Sequence, residues 1–494
     1  MRLQPRQAAK RAFWDAAVSG ASSGTCRIGT DADGRSITMT PEQRDRGLYI
    51  VGKPGTGKTS LLQSLIVSDL HAGHGLAVIN PEQGTFLERI LPFVPEHRIQ
   101  DVIYFDPLDV VHPISLNPLH RQPGADLELC IEYTLTVLQQ LFDTSAATAP
   151  QTTYILEHIV RTLMQIPGSS LFDAERLLDK DDPGFRAWAV DQINDRRIRE
   201  FWIERYPKLR SDAPYTLYSR LSRFLSSPFL ACLSARSPAL DFHALMASKS
   251  VLLFNLPDTL GERNRSLLGQ FIVARFQQAI TLRREDDPSQ PPFYIYLDEF
   301  QTFSNSAVAS YETMLSRGRK RRAPLILAHQ YSDQLPEPLL RGILGTVSTA
   351  VVYAVGAFDD KRLGREVGAE PRSLQNQRKF HAHIRDDEGL HVVTTPRPLR
   401  DGDARIRDQI VAASRRFATA PAAPEPHSQE SDRGPERTPV PDAPQRPPSG
   451  PGPGPRVASR SRRTRESTAG VGSNSVDPNE AIQARRASRK KNSH

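Results

Sequence analysis

The hydrophobic pattern changes character several times along the chain. Residues 1–46 hold a basic, helix-patterned stretch, a Gly/Ser-rich break, and two short β-like pieces, CRIG and SITM. From 47 to 125, fully apolar runs of four or so residues alternate with a helical stretch. The runs at 48–51, 76–79 and 102–105 predict buried strands, and 60–70 predicts a helix. Over 126–248 the period becomes helical, as in LELCIEYTLTVLQQLF and TYILEHIVRTLMQI, which predicts an all-α insertion. Alternation resumes over 249–416, with strands expected at 251–256, 293–297, 325–328 and 350–355 and a helix at 264–282. From 417 to 494, Pro, Ser, Gly and Arg displace any period, so a disordered tail is expected. Strands alternating with helices predict an α/β fold with a mainly parallel sheet.

Charge adds little to this picture. The formal net charge is +8, but residues 421–494 carry 13 Lys/Arg against 8 Asp/Glu and supply +5 of it. A nucleic-acid partner cannot be read from a balance that one tail dominates. Cys26, Cys130 and Cys232 lie far apart, with no CxxC or Cys/His cluster, which indicates neither a disulfide framework nor a zinc site. Such thiols suit a reducing cytoplasm. No run reaches the roughly 18 apolar residues of a spanning helix, and the N-terminus lacks the apolar centre of a signal peptide. The expectation is a cytoplasmic protein without an integral membrane segment. Its basic N-terminal stretch leaves peripheral recruitment to the inner membrane open.

The candidate chemistry begins after the first of the core strands. Gly52-Lys53-Pro54-Gly55-Thr56-Gly57-Lys58-Thr59 fits GxxxxGK[ST] between a strand and a helix. Glycines let successive N–H groups turn inward on phosphate oxygens, and the helix N-terminus adds its dipole. Gly52, Pro54, Gly55, Thr56, Gly57, Lys58, Thr59 and Ser60 are the expected ATP contacts. In this arrangement Lys58 meets the β- and γ-phosphates, and the Thr59 hydroxyl ligates Mg2+. These residues predict a P-loop NTPase core of the RecA-like kind.

Such a loop needs a metal-holding carboxylate on a neighbouring strand. Phe293-Tyr294-Ile295-Tyr296-Leu297 runs into Asp298-Glu299, which places Asp298 on Mg2+ and Glu299 as general base toward the attacking water. An apolar run ending in two acids is commonplace alone and specific when paired with a P-loop. The acid pair favours ATP hydrolysis over a GTPase switch. The run at 325–328 leads to His329, read as packing, and Gln330, which could reach the γ-phosphate or the water. Residues 317–322, RGRKRR, read as a solvated basic helix end. An arginine finger toward a neighbouring subunit, or contacts with DNA phosphates, are the functional alternatives.

Taken in order, these residues resemble the TraD/TraG-like coupling proteins of type IV secretion and conjugation, within the HerA/FtsK branch of P-loop ATPases. The likeness covers roughly 25–400. It rests on the β lead-in ending in SITM, on LAVINPEQG, on VIYFDPLDVVHPISLNPL, on LDEFQTF, on a Gly-Arg-Lys, and on a strand ending in Gln. Asn80 and Gln83 stand where the family often has Asp and Lys, and the family's N-terminal membrane pair has no counterpart here. The resemblance implies catalytic roles for Lys58, Glu299, Arg319 as trans-acting finger and Gln330 as sensor. It also implies a homo-oligomeric ring, expected to be a hexamer, that drives DNA through its pore, with a relaxase or a secretion-channel protein as further partner. Two alternatives stand beside this: a HerA-like DNA motor of repair, packaging or defence, and an ATPase that remodels protein without nucleic acid.

Overall fold

The computed structural model describes residues 25–418, except 82–84, 143–148, 210–211, 235–238, 305–307 and 400–401. The basic N-terminal stretch, Gln83 and the tail beyond 418 lie outside the described residues.

Eleven described strands form one sheet. They are β1 Cys26–Thr30, β2 Ser36–Met39, β3 Leu48–Val51, β4 Gly75–Asn80, β5 Val102–Phe105, β6 Val251–Asn255, β7 Phe293–Leu297, β8 Leu325–His329, β9 Thr349–Val352, β10 His381–Arg385 and β11 Leu390–Thr394. Their order is β2-β1-β11-β10-β9-β3-β8-β7-β4-β6-β5. From β9 to β5 every pairing is parallel. The other four strands add an antiparallel flank beside β9. Parallel strands are covered by helices on both faces, and β3 to β9 are buried throughout. That is why they read as unbroken apolar runs.

Lateral order departs from expectation at one place. The acid-bearing strand β7 is not beside β3; β8 lies between them. An apolar run marks a buried strand, but its neighbours are chosen by the crossovers that join it to the rest of the sheet. The run at 350–355 also ends early, at Val352. Beyond it the Tyr353 N–H donates to the Val51 carbonyl at 2.9 Å, and the Lys53 N–H donates to the Ala354 carbonyl at 2.8 Å. The end of β9 thus straps the first turn of the P-loop.

The helix Lys58–His71 lies on one face of the sheet. Its Leu61, Leu65 and Ile66 share an apolar cluster with Ile50, Val78 and Tyr296. The helix Glu262–Leu282 covers the other face through Leu268, Phe271, Ile272 and Phe276. Between β5 and β6 the described elements are all helical, chiefly Leu127–Leu141, Pro150–Leu163, Leu171–Leu178, Pro183–Asp191 and Asp212–Leu225. Their apolar faces continue the cluster beneath the sheet, where Ile159, Leu163 and Phe224 join Phe276 and Leu297. No helix of the described residues is long and apolar enough to cross a membrane.

One buried ion pair ties the P-loop helix to the sheet. Arg44 Nη2 lies 2.7 Å from Asp69 Oδ2, the Tyr296 hydroxyl donates to the same oxygen at 2.5 Å, and the Arg44 guanidinium sits 3.8 Å above the Tyr294 ring. Burial pushes the Asp69 carboxyl up, but the Arg44 charge and hydrogen bonds from His74 and Arg44 outweigh it and bring it to about 2.

Candidate functional site

The parallel arrangement puts the C-terminal ends of β3, β8 and β7 on one edge, and each end carries candidate chemistry. After β3 the chain turns through Gly52, whose absent Cβ would come 2.5 Å from Cβ of Tyr353, so any side chain there clashes. The loop closes at Gly57 with φ 133, and the helix begins at Lys58. Lys58 is 5% exposed; its Nζ donates to the carbonyls of Gly52 at 2.6 Å and Lys53 at 3.2 Å. The ammonium is thereby held inside the curl of Gly52, Pro54, Gly55, Thr56 and Gly57, with Thr59 and Ser60 on the first helical turn. A buried cation resting on carbonyls, at a helix N-terminus with inward N–H groups, forms a cradle suited to an anion.

Across β8 stand the two acids, roughly 10 Å from β3 by two strand spacings. Asp298 is 3% exposed, and its Oδ1 accepts the Glu299 N–H at 3.1 Å. Glu299 has φ 45, an uncommon conformation for a residue with a side chain, which turns its carboxylate along the strand ends. There its two oxygens are claimed by two amides: Gln330 Nε2 donates to Oε1 at 3.0 Å, and Gln301 Nε2 donates to Oε2 at 2.6 Å. Gln330 reaches the acid because β8 is the intervening strand. The Thr59 hydroxyl and the Asp298 carboxylate, both at this edge, are hard-oxygen donors. That suits Mg2+, which keeps several of its waters rather than filling a protein cage.

His329 behaves as packing. It is fully buried, its Nε2 lies 2.7 Å from the Tyr49 hydroxyl, and burial pushes its imidazole down to about 3.

No protein-family model and no curated protein matches the sequence. Solved structures match by shape. Plasmid coupling protein TrwB with the non-hydrolysable ATP analogue ADPNP aligns with TM-score 0.54 and 14% identity, over 77% of this chain and 91% of that one. TrwB with ADP and Mg2+ aligns with TM-score 0.53 and 14% identity, over 77% and 90%. VirB4 of Thermoanaerobacter pseudethanolicus aligns with TM-score 0.53 and 15% identity, over 75% and 96%. The chain has the fold of the coupling-protein ATPases.

The coupling-protein fold brings Lys58, Thr59, Asp298, Glu299 and Gln330 to one edge, and it does not bring Arg319 there. Arg319 is exposed in the turn before β8, where the Phe293 N–H donates to the Arg322 carbonyl at 2.9 Å. That turn lies at the opposite end of the strands, roughly 15 Å of extended chain from the P-loop edge. Two of its neighbours are structural: Arg321 donates to the Ile280 carbonyl at 3.0 Å, and Arg322 to those of Pro288 and Gln290 at 2.8 and 2.9 Å. Arg319 cannot reach the P-loop of its own subunit.

Three residues beside the loop and the acids escape the sequence reading: Gln301 on Glu299, Tyr353 against Gly52, and Phe380, whose N–H donates to the Thr56 carbonyl at 2.7 Å. The first is a polar residue one step past the acids, with no motif of its own. Phe380 precedes the β10–β11 hairpin, where the HAHIR alternation and the turn residues Asp386-Asp387-Glu388-Gly389 carry a readable hairpin signal.

Proposed function

We propose that this chain is an Mg2+-dependent ATPase that drives DNA through a homo-oligomeric ring, in the manner of a conjugative coupling protein. The observation that carries the reading is the shared edge of β3, β8 and β7. It combines a buried lysine in a phosphate cradle, an acid pair, and an amide aimed at the second acid. The fold match to TrwB and VirB4 supports the coupling-type assignment.

The residues divide the work as follows. Lys58 exchanges its two loop carbonyls for β- and γ-phosphate oxygens, while the N–H groups of 55–59 line the phosphate chain. Thr59 and Asp298 hold Mg2+, directly or through water. When bound, the ion neutralises charge on the phosphate oxygens. Glu299 accepts a proton from the attacking water, and Gln330 keeps its carboxylate turned toward the γ-position. Arg319, remote from its own site, is the group a neighbouring subunit would place against the γ-phosphate. A head-to-tail contact of that kind closes into a ring, here proposed as a hexamer. DNA passes the pore by phosphate contacts with little sequence preference. A relaxase or a secretion-channel protein is the proposed partner on the path.

The deciding experiment is steady-state phosphate release with and without single- or double-stranded DNA, with Lys58→Ala as control. Stimulation by DNA that Lys58→Ala abolishes supports the motor. A rate indifferent to DNA overturns it in favour of protein remodelling. Hydrolysis by Lys58→Ala at the normal rate overturns the site itself. Co-purification with a nuclease instead of a relaxase would move the motor to repair, packaging or defence.

A further inference from the structure

A nucleotide on this P-loop has a direction. The acids and Gln330 stand on β7 and β8, to one side of β3, so the γ-phosphate end faces that side. The ribose and base must then leave toward the other side, where β9 and β10 lie. The residue that meets the loop there is Phe380.

Phe380 is fastened to the P-loop by backbone and ring together. Its N–H donates to the Thr56 carbonyl at 2.7 Å, and a Cβ added to Gly57 would come 3.0 Å from Phe380 Cδ1 and 3.0 Å from Tyr353 Cε1. Its carbonyl accepts both the Thr395 N–H at 2.8 Å and the Thr395 hydroxyl at 3.2 Å, and the Tyr353 hydroxyl donates to Thr395 Oγ1 at 3.0 Å. These bonds hold Phe380 at φ 63, a conformation rare for a bulky side chain. Such strain persists where surrounding structure over-determines it, and it concentrates at ligand clamps. The ring is half-buried, and two exposed cations approach it: Lys379 Nζ at 5.1 Å and the Arg397 guanidinium carbon at 6.0 Å from its centroid. Two stacked contacts span about 7 Å. A planar ring therefore fits between Phe380 and Arg397 after a shift of about 1 Å in an exposed arginine.

We propose that Phe380 and Arg397 form the base end of the nucleotide site. The inference rests on the P-loop reading above and adds what that reading lacks, the recognition of the nucleoside. The base is held by its π-face, against an aromatic ring and a guanidinium, so adenine and guanine are expected to bind alike.

The test compares ligands with and without a base on the full chain. Binding of MgATP, MgGTP and Mg-tripolyphosphate is measured for wild type, Phe380→Leu, Phe380→Tyr and Arg397→Ala. Leucine keeps bulk against Gly57 and removes the π-face; tyrosine restores it. Phe380→Leu should lose roughly 5- to 100-fold for both nucleotides, in line with base–aromatic stacking, and keep tripolyphosphate within about twofold of wild type. Phe380→Tyr should bind like wild type, and Arg397→Ala should lose nucleotide but not tripolyphosphate. Equal losses for ATP and tripolyphosphate would make Phe380 a prop for the loop and overturn the proposal, as would no loss at all. If Phe380→Leu does not fold, the Arg397→Ala comparison decides alone. Lys58→Ala separates the two readings: it must weaken tripolyphosphate as well, and if it does not, the phosphate cradle fails, whatever Phe380 does.

Discussion

Gln330 and Glu299 are joined side chain to side chain across two strands, with Gln330 Nε2 3.0 Å from Glu299 Oε1. The bond spans the gap from β8 to β7 and exists because β8 is inserted between the P-loop strand and the acidic one. With Gln301 on the other oxygen at 2.6 Å, both carboxylate oxygens are held by amides. Preorganised groups of this kind act on the transition state without reorganising at the moment of reaction.

Glu299→Gln should therefore lower phosphate release by at least about 100-fold, the lower range for a general base. Nucleotide affinity should stay within about twofold, because the role proposed for the residue is to meet water and not phosphate. Hydrolysis near the wild-type rate would remove Glu299 from the mechanism.

Gln330→Ala addresses orientation alone. It should lower kcat by roughly 10- to 100-fold, about 1.4–2.7 kcal/mol of barrier, with KM and melting temperature little changed. A rise in KM at constant kcat would reassign the amide to ground-state binding.

Arg319→Ala tests the trans-acting finger. The side chain stands at the far end of the strands from its own P-loop, so its removal should cut turnover and spare nucleotide affinity. Mixing it with Glu299→Gln subunits creates some interfaces with an intact finger and an intact base, and partial activity should return. If no ratio restores activity, the finger does not act across an interface.

Asp69→Asn tests the tie between the P-loop helix and β7. The substitution leaves the buried Arg44 guanidinium without its counter-charge, which costs about 3–5 kcal/mol. Because folding lowers the Asp69 pKa from 3.8 to about 2, its contribution is complete above pH ~4 and disappears as the pH falls through ~2. Denaturant melts should show the gap between wild type and Asp69→Asn narrowing over that interval. A gap constant with pH would show that the pair does not contribute by charge.

Gly52→Ala tests the strap. A Cβ at Gly52 meets Cβ of Tyr353 at 2.5 Å and its Cα at 3.3 Å, neither of which a rotamer change can move, so the loop must shift away from the end of β9. ATP affinity should fall at least about tenfold, with a loss of roughly 1–3 kcal/mol in stability from forced overpacking. Unchanged binding would mean that the loop does not need this close approach.

By itself, the sequence determined the components. Buried parallel strands declare themselves as short apolar runs because both their faces are covered, and the P-loop declares itself because backbone N–H groups can surround phosphate only with glycine at those positions. Asp298, Glu299 and Gln330 could be picked out as residues directly following such runs. Tertiary structure alone decided which strand lies beside which, and so that Gln330 meets Glu299 while Arg319 ends at the opposite edge. It also brought Phe380 against Gly57 over more than three hundred residues of chain. The reason is physical: a hydrophobic run records that a strand is covered, whereas lateral order and long-range contact follow from crossovers and packing that leave no local period in the chain.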